Sequence, residues 1–434
     1  MKKYKIVILV CAFTLLGIFT CRVSKTSNVY KENENNQMKK HVDAISMMLE
    51  TEAGSGKYEM TTRDSWPTEG YVFNSTLSKC ENGGELSWDD TNKKVLMSGN
   101  ISDKCYVYFD IETKVFLADY VKSLYTGTQG DNNIYYHDSS LENGAGDNSY
   151  RYAGSSETTN NYVCFGSDAD TCPEDNLYRI IGVFDGKVKL IKSTGTTNTL
   201  LGTDGTYTSN SRSYAWTDLD SCPSTTAYKF DNNVVVLSNK NILGAVPDGG
   251  KSGCNMWKYS NLNSVNLNTN FITNLGIKWA ALVDNATWKV SGYSTANVTA
   301  KTMYTAEITN ATKTYGPSDG TSKIGLMYAS DYGFAASPSA WTTLLSSYND
   351  SSIKSTNWVY NAGMEWTMTP NSSDSYSVFI LSYVSTVSNT GNLGTWSSLG
   401  ADAGFGTRPA MYLNASVVYT RGSGTASDPI RIEI

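Results

Sequence analysis

Histidine is nearly absent from this chain of 434 residues: there are two, His41 and His137. A Ser-His or Cys-His nucleophilic pair would have to be built on His137, and a histidine-rich metal centre has no material to form from. No C-x-x-C spacing occurs and no cysteine follows Cys254, which removes the common zinc and dithiol motifs. Charge is scarce too, at 18% of residues with a net charge of -6. A phosphate-binding surface needs the opposite balance, so nucleic acid is not an expected partner.

What fills the chain instead is Ser, Thr, Asn, Gly and Tyr, standing where Lys and Glu usually stand, as in extracellular β-rich proteins. The length is enough for two or three units with a sizeable core. At the N-terminus Lys2, Lys3 and Lys5 precede an apolar run from Ile6 to about Thr20, followed by Cys21 and Arg22. Such a run is a secretory signal or a short membrane anchor. No good pair of small residues for signal peptidase lies between Phe19 and Lys25, and Ile18-Phe19-Thr20 lacks the small residue that precedes a lipidated cysteine. An uncleaved anchor at residues 1–25 is therefore the preferred reading, with cleavage and lipidation as alternatives; the basic flank stays inside and the rest of the chain faces outward.

Cysteine usage agrees with that topology. Cys11 and Cys21 belong to the apolar segment, and the other six fall into sequence-local pairs: Cys80 with Cys105, Cys164 with Cys172, Cys222 with Cys254. Six cysteines allow about 15 connectivities, so nearest-neighbour pairing is one choice among several, but an even count in an exported chain points to structural disulfides rather than metal ligands.

Residues 26–56 read as a polar stalk. Residues 57–110 read as a small all-β module: the runs Tyr71–Phe73, Glu85–Trp88, Lys94–Met97 and Tyr106–Phe109 are separated by turn-forming Asn, Gly, Asp and Ser. Cys80 and Cys105 would close it. Residues 111–130 read as a linker with a short helix over Thr113–Tyr125, where Val115, Phe116, Ala118, Val121 and Leu124 keep near-helical spacing. The main domain, 131–434, opens with the clearest local signal in the chain, two β-type runs, Leu177–Phe184 and Lys187–Lys192, joined by Asp185-Gly186. Further on, Trp257, Leu262, Val265 and Phe271 would share one side of a helix.

The last quarter carries a resemblance. Asn357-Trp358, then Gly363-Met364-Glu365-Trp366-Thr367, a Ser/Tyr/Asn/Gly-rich run, and Gly404-Phe405-Gly406-Thr407-Arg408-Pro409 resemble the C-terminal core of the C-type lectin-like fold of formylglycine-generating-enzyme-type domains. Over residues 131–434 the order of motifs, with Arg408-Pro409-Ala410-Met411-Tyr412-Leu413 near the end, also resembles a class of bacterial surface domains of unknown function. The fold expected from this resemblance is α+β and β-rich, with a C-type lectin-like main domain behind the disulfide-closed module and the anchor helix.

The resemblance does not bring its chemistry along. Formylglycine generation would need a cysteine pair in the C-terminal core and the sulfoxide-forming branch would need iron-binding histidines, and neither residue type is present there. Glu365, between Met364 and Trp366, is the one candidate for carboxylate catalysis, because an apolar neighbour can raise a carboxyl's pKa; core hydrogen bonding is the stronger reading. Asp168, Asp170, Glu174 and Asp175 cluster around the Cys164 to Cys172 loop with oxygen ligands of the kind Ca²⁺ takes, although a solvated acidic turn is the stronger reading. No other metal or cofactor is expected.

A recognition face is the better fit. Residues 371–406 hold 22 Ser, Asn, Thr, Tyr or Gly among 36, with Phe379, Tyr383, Trp396 and Phe405 between them, the side-chain chemistry of antibody paratopes. In the retroelement-diversified C-type lectin-like proteins, the resemblance implies, variable residues lie in this interval. Candidate ligand-binding positions are Tyr376, Tyr383, Ser385, Asn389, Asn392 and Trp396. An ordinary loop plus two core strands, with Val378–Leu381 buried, is the competing reading. The expected protein is a membrane-anchored, exported, non-enzymatic surface protein that binds a protein or glycan outside the cell. A pilin-like or adhesive structural subunit is the alternative, and a glycan hydrolase built on Glu365 a third.

Overall fold

The computed structural model describes residues 45–62, 65–67, 69–99, 103–207, 214–215, 226–230, 233–237, 255, 257–311, 314–315, 323–372, 378–381, 391–394 and 404–433. The anchor read at residues 1–25 and the cysteines Cys222 and Cys254 lie outside them. Among the described residues no helix is long and apolar enough to cross a membrane. The chain is β-rich with few helices and divides into two compact units, one ending at Lys114 and one beginning at Val115.

The first unit is built from seven strands: β1 (Ile45–Glu50), β2 (Tyr58–Met60), β3 (Tyr71–Phe73), β4 (Lys79–Cys80), β5 (Glu85–Asp89), β6 (Lys94–Ser98) and β7 (Cys105–Ile111). β7 is the organising strand, pairing parallel with β1 and antiparallel with β3 and β4, while β5 and β6 form their own hairpin. Alternation along Cys105-Tyr106-Val107-Tyr108-Phe109 sends Cys105, Val107 and Phe109 inward. There they meet Met47 and Val95, and Phe109 is ringed by Trp66, Phe73 and Trp88. Cys80 and Cys105, directly opposite in the β4–β7 register, are joined by a disulfide.

Two sequence boundaries need correction. The stretch 26–56 was expected to be stalk throughout, yet Ile45–Glu50 is β1, paired over five residues with β7. Ile45, Met47, Met48 and Leu49 are apolar, and the partner that holds them lies some sixty residues downstream, so the polar residues before them do not set their state. Residues 111–130 were expected to be a linker, yet Val115–Phe116 (β8) pairs with Val418–Tyr419, and the helix Leu117–Ser123 buries Leu117, Ala118 and Val121 in the core of the second unit. The helix is shorter than Thr113–Tyr125 because Val115 and Phe116, counted as its apolar face, are exposed and in β8.

The second unit is organised by a seven-stranded sheet. Its strands include β9 (Ile134–His137), β10 (Ser149–Tyr152), β11 (Tyr162–Cys164), β12 (Leu177–Phe184) and β13 (Lys187–Lys192). The order runs Ile324–Gly325, Ala410–Tyr412, β13, β12, β10, β9, with β11 also on β12. The hairpin read from Asp185-Gly186 is present as expected: both residues take positive φ, +48° and +78°, the twist-matched turn that an Asp-Gly pair favours. A register irregularity between Ile180 and Gly182 brings Gly182 against β10, where an added Cβ would lie 2.2 Å from the Tyr150 carbonyl oxygen. Only glycine fits there. Cys164 and Cys172 form the second disulfide.

The segment from Trp257 is helical, as a 3-10 turn Trp257–Tyr259 and a π-helix Leu262–Phe271 that runs on as an α-helix over Ile272–Leu275. Trp257, Leu262 and Phe271 are buried and Val265 is half-buried. Its asparagines do as much as its apolar residues: Asn268 pairs with both the N–H and the carbonyl of Ile324, at 2.9 Å each, finishing the edge of the sheet. Asn266 donates to the Leu201 carbonyl at 2.7 Å and accepts from the Thr206 N–H at 3.1 Å.

A chain in which Cys80 and Cys105 are both serine should lose about 3.5 kcal/mol from the unfolding transition reported by Trp66 and Trp88, the loop-closure value for a separation of 25 residues. Urea unfolding followed by tryptophan fluorescence measures it, and an unchanged midpoint would contradict the expectation.

Candidate functional site

The C-terminal motifs form one buried joint. Glu365 begins the strand Glu365–Pro370, and Arg408 stands just before the strand Ala410–Tyr412. Arg408 Nε donates to Glu365 Oε2 at 2.7 Å, with both side chains 3% exposed. The other carboxylate oxygen accepts from Asn361 Nδ2 at 2.9 Å, and Arg408 Nη2 donates to the Val359 carbonyl at 2.9 Å. The backbone closes beside them: Trp366 N–H donates to the Gly406 carbonyl at 3.0 Å and Gly406 N–H to the Met364 carbonyl at 2.9 Å. Trp366 and Phe405 pack edge to face at 4.8 Å.

Trp358 is fixed in the same block. Its indole N–H donates to the Tyr152 carbonyl at 2.8 Å, and the Arg179 guanidinium lies over its ring at 4.8 Å. Arg179 is itself held by Asn161 Oδ1 and the Thr159 carbonyl at 2.6 and 2.9 Å. Burial, with Arg408 close by, pulls the Arg179 guanidinium down to about 10. Asn357, Trp358, Glu365, Trp366, Thr367 and Arg408 are all buried. The motif residues Gly363, Met364, Gly404 and Gly406 are half-buried, the others are packed inside, and Glu365 has both oxygens engaged.

This joint ties together the two ends of the Tyr/Ser/Asn-rich interval. Within the interval, the strand Val378–Leu381 is buried at all four residues and lies between Glu365–Pro370 and Leu393–Gly394. Phe379 and Phe405 are therefore core residues and not part of a face. Of the six candidate binding residues, Asn392 is described: it is half-buried between Gly391, whose carbonyl accepts from the Tyr332 hydroxyl, and Leu393, which pairs with Leu381. Tyr376, Tyr383, Ser385, Asn389 and Trp396 lie outside the described residues.

The acidic cluster is spread out rather than converging. Asp168, Asp170, Glu174 and Asp175 are exposed, Asp168 pairs with Lys278 at 2.5 Å, and Asp175 lies 3.8 Å from Lys192. The one group of three metal-type side chains among the described residues is Cys80, Asp103 and Cys105, whose two sulfurs are joined to each other. His137 is fully buried; its Nδ1 accepts from the Ala145 N–H at 3.0 Å, which places the ring proton on Nε2 between Phe334 and Trp341. Burial, reinforced by Arg151, pushes it well below the usual histidine range. It is a neutral core imidazole.

A second buried centre went unread in the sequence. Asp331, in the first turn of the helix Ala329–Ala335, receives Lys189 Nζ at 2.6 Å and lies 3.6 Å from the Arg151 guanidinium. Arg151 also pairs with Asp147 at 2.6 Å, whose carboxylate accepts from the Tyr304 hydroxyl at 2.8 Å. Rings enclose both cations: Phe184, Tyr304 and Phe334 around Arg151, and Tyr328, Tyr412, Trp288 and Phe184 around Lys189. Glu307 completes the centre from the π-helix Thr305–Thr309, accepting from the Ser330 N–H and the Thr369 hydroxyl. Burial, only partly offset by those bonds, raises the Glu307 carboxyl to about 7. The only sequence trace of this centre is a set of lysines in a strand that is otherwise apolar on both faces.

No family model matches the chain, no curated protein matches it, and no solved structure matches it.

Glu365→Met alone should cost about 3–5 kcal/mol, because it strands a buried guanidinium, whereas Glu365→Met with Arg408→Met should recover most of that loss. Denaturant unfolding of both variants checks the difference, and equal losses would contradict it.

Glu307 also sets a pH dependence. Its folded value exceeds the ordinary 4.5, so the folded state holds the extra proton between pH 4.5 and about 7 and stability falls as pH rises through that window. His137 acts in the opposite sense below 6.5, since it must gain a proton on unfolding. The difference between the wild type and Glu307→Gln isolates Glu307: it should shift against the wild type by about 3 kcal/mol between pH 4.5 and pH 7. A pH-independent difference in unfolding free energy would refute it.

Proposed function

We propose that this is an exported, cell-surface recognition protein of the C-type lectin-like kind, held by its N-terminal segment and binding a protein or glycan through the Tyr/Ser/Asn-rich interval 371–406. The observation that carries this reading is the buried Glu365–Arg408 joint, which secures both ends of the interval with bonds that use none of the six candidate binding side chains. The scaffold can therefore hold while the face differs. Two disulfides in a chain with few charges support an oxidising, extracellular setting.

Catalysis is not part of the proposal. Glu365 is locked between Arg408 and Asn361, and His137 is enclosed by Phe334 and Trp341; a general acid or base has to reach a substrate proton. An adhesive or pilin-like subunit is the competing class, and the binding experiment separates the two.

The soluble chain from residue 26 onward should show saturable binding to a defined ligand on arrays of glycans and of host and bacterial surface proteins. Tyr376→Ala with Tyr383→Ala should weaken that binding at least about tenfold, the scale of paired aromatic hot spots, without lowering the melting temperature. Filaments that bind nothing, or binding untouched by alanine at all six positions, would overturn the reading.

A further inference from the structure

We propose that the buried pair Lys189 and Asp331 condenses to an intramolecular amide, so that the folded chain carries a covalent cross-link between β13 of the central sheet and the helix Ala329–Ala335.

The placement is that of an amine against the group it would acylate. Lys189 Nζ lies 2.6 Å from Asp331 Oδ2, one C–O bond away from the carbon it would attack, and the two residues are 1% and 3% exposed. Holding two reactants in contact converts a bimolecular step to an internal one. Neither side chain can leave this arrangement easily. Tyr328, Tyr412, Trp288 and Phe184 surround the amine at 4.3, 5.4, 5.5 and 5.8 Å, and the backbone N–H of Tyr328 holds Oδ2 at 2.9 Å. Arg151, 2% exposed, faces the other oxygen, Oδ1, at 3.6 Å. It stands where negative charge would develop on Oδ1 during attack, the role of a preorganised donor in acyl transfer.

The step balances without any outside reagent. A proton passes along the hydrogen bond from Nζ to Oδ2, giving a neutral amine and a carboxylic acid. The nitrogen lone pair forms a bond to Cγ while Oδ1 takes up the charge beside Arg151. A second nitrogen proton then goes to Oδ2, the Cγ–Oδ2 bond breaks, water leaves, and one N–H remains on the amide. Nothing is oxidised or reduced. Enclosure favours each stage: a desolvated ion pair loses the advantage of its charges, and the released water has no bulk phase at hand to reverse the reaction. Burial does lower Lys189 below the usual lysine range, against the opposing pull of Asp331. The other charged groups facing the pair are Arg151, Asp147 beyond it, and Glu307, whose carboxyl takes the N–H of Ser330, the residue before Asp331.

The test is a peptide map of the purified full chain. Trypsin should release Val188–Lys192, uncut at Lys189, joined to Ile324–Lys354, with a combined mass about 18 Da below the sum of the two for the water lost. Fragmentation should place the bond between Lys189 and Asp331. Lys189→Met should return Ile324–Lys354 as a linear peptide of unmodified mass. Should that variant fail to fold, the wild-type map decides alone: recovery of linear Ile324–Lys354 as the dominant species from folded wild-type protein overturns the proposal.

Discussion

The constraint on which the second unit depends is that a charge taken out of water must be met by another. Glu365 and Arg408 are 43 positions apart in the chain and both almost fully enclosed. Desolvating either alone costs several kcal/mol, and the pair breaks roughly even only when the geometry is good and the leftover donors and acceptors are used. Here they are used: Asn361 takes the second carboxylate oxygen and the Val359 carbonyl takes another guanidinium arm. An arrangement this specific stabilises little over an apolar alternative, but it tolerates very few registers between the two segments. Its contribution is to say where residue 408 must lie relative to residue 365.

The same rule operates in the Asp331 centre, with a different outcome. Lys189, Arg151, Asp147, Asp331 and Glu307 come from separate elements, and aromatic rings fill the space where water would otherwise screen them. Two cations face three carboxyls, and burial makes the Glu307 proton hard to remove. The sheet, the helix Ala329–Ala335 and the π-helix Thr305–Thr309 are thereby coupled through charge as well as packing. Asp331→Asn would leave Lys189 without its carboxylate and Arg151 with Asp147 alone.

How much of this was legible in the sequence follows the range of the forces involved. Asp185-Gly186 gave the hairpin because turn geometry is decided by two residues, and the four strand runs of the first unit were visible because alternation and turn signals act over a few residues. Cys80 with Cys105 and Cys164 with Cys172 were found as sequence neighbours, and each pair is joined. β1 was missed because its partner is distant, and the linker helix was placed outside the unit to which Val417 and Val418 tie it. The Asp331 centre was missed for the same reason on a larger scale: Lys189 and Asp331 are 142 residues apart, and the one local trace, a lysine inside an apolar strand, does not name its partner. Glu365 was legible as a core hydrogen-bonding residue through the resemblance of its motif, and its partner Arg408 emerged only as part of another motif.

The joint at Glu365 and Arg408 also bears on why a polar interval can coexist with a dense core. Fixing the ends of a long excursion removes most of the loop-closure cost from whatever lies between them, and that cost rises only slowly with length. Inside the excursion, Val378–Leu381 lies in the core with all four side chains buried, in register with Glu365, Trp366 and Pro370 on one side and with Leu393 and Gly394 on the other. The energetic burden thus rests on the two ends and one apolar strand. Among the described residues, Asn371 and Ser372 are also drawn in, through the Asn255 side chain and the Tyr293 carbonyl. A change at Trp358, Glu365 or Arg408, each buried and bonded to a distant segment, would be felt through the whole unit.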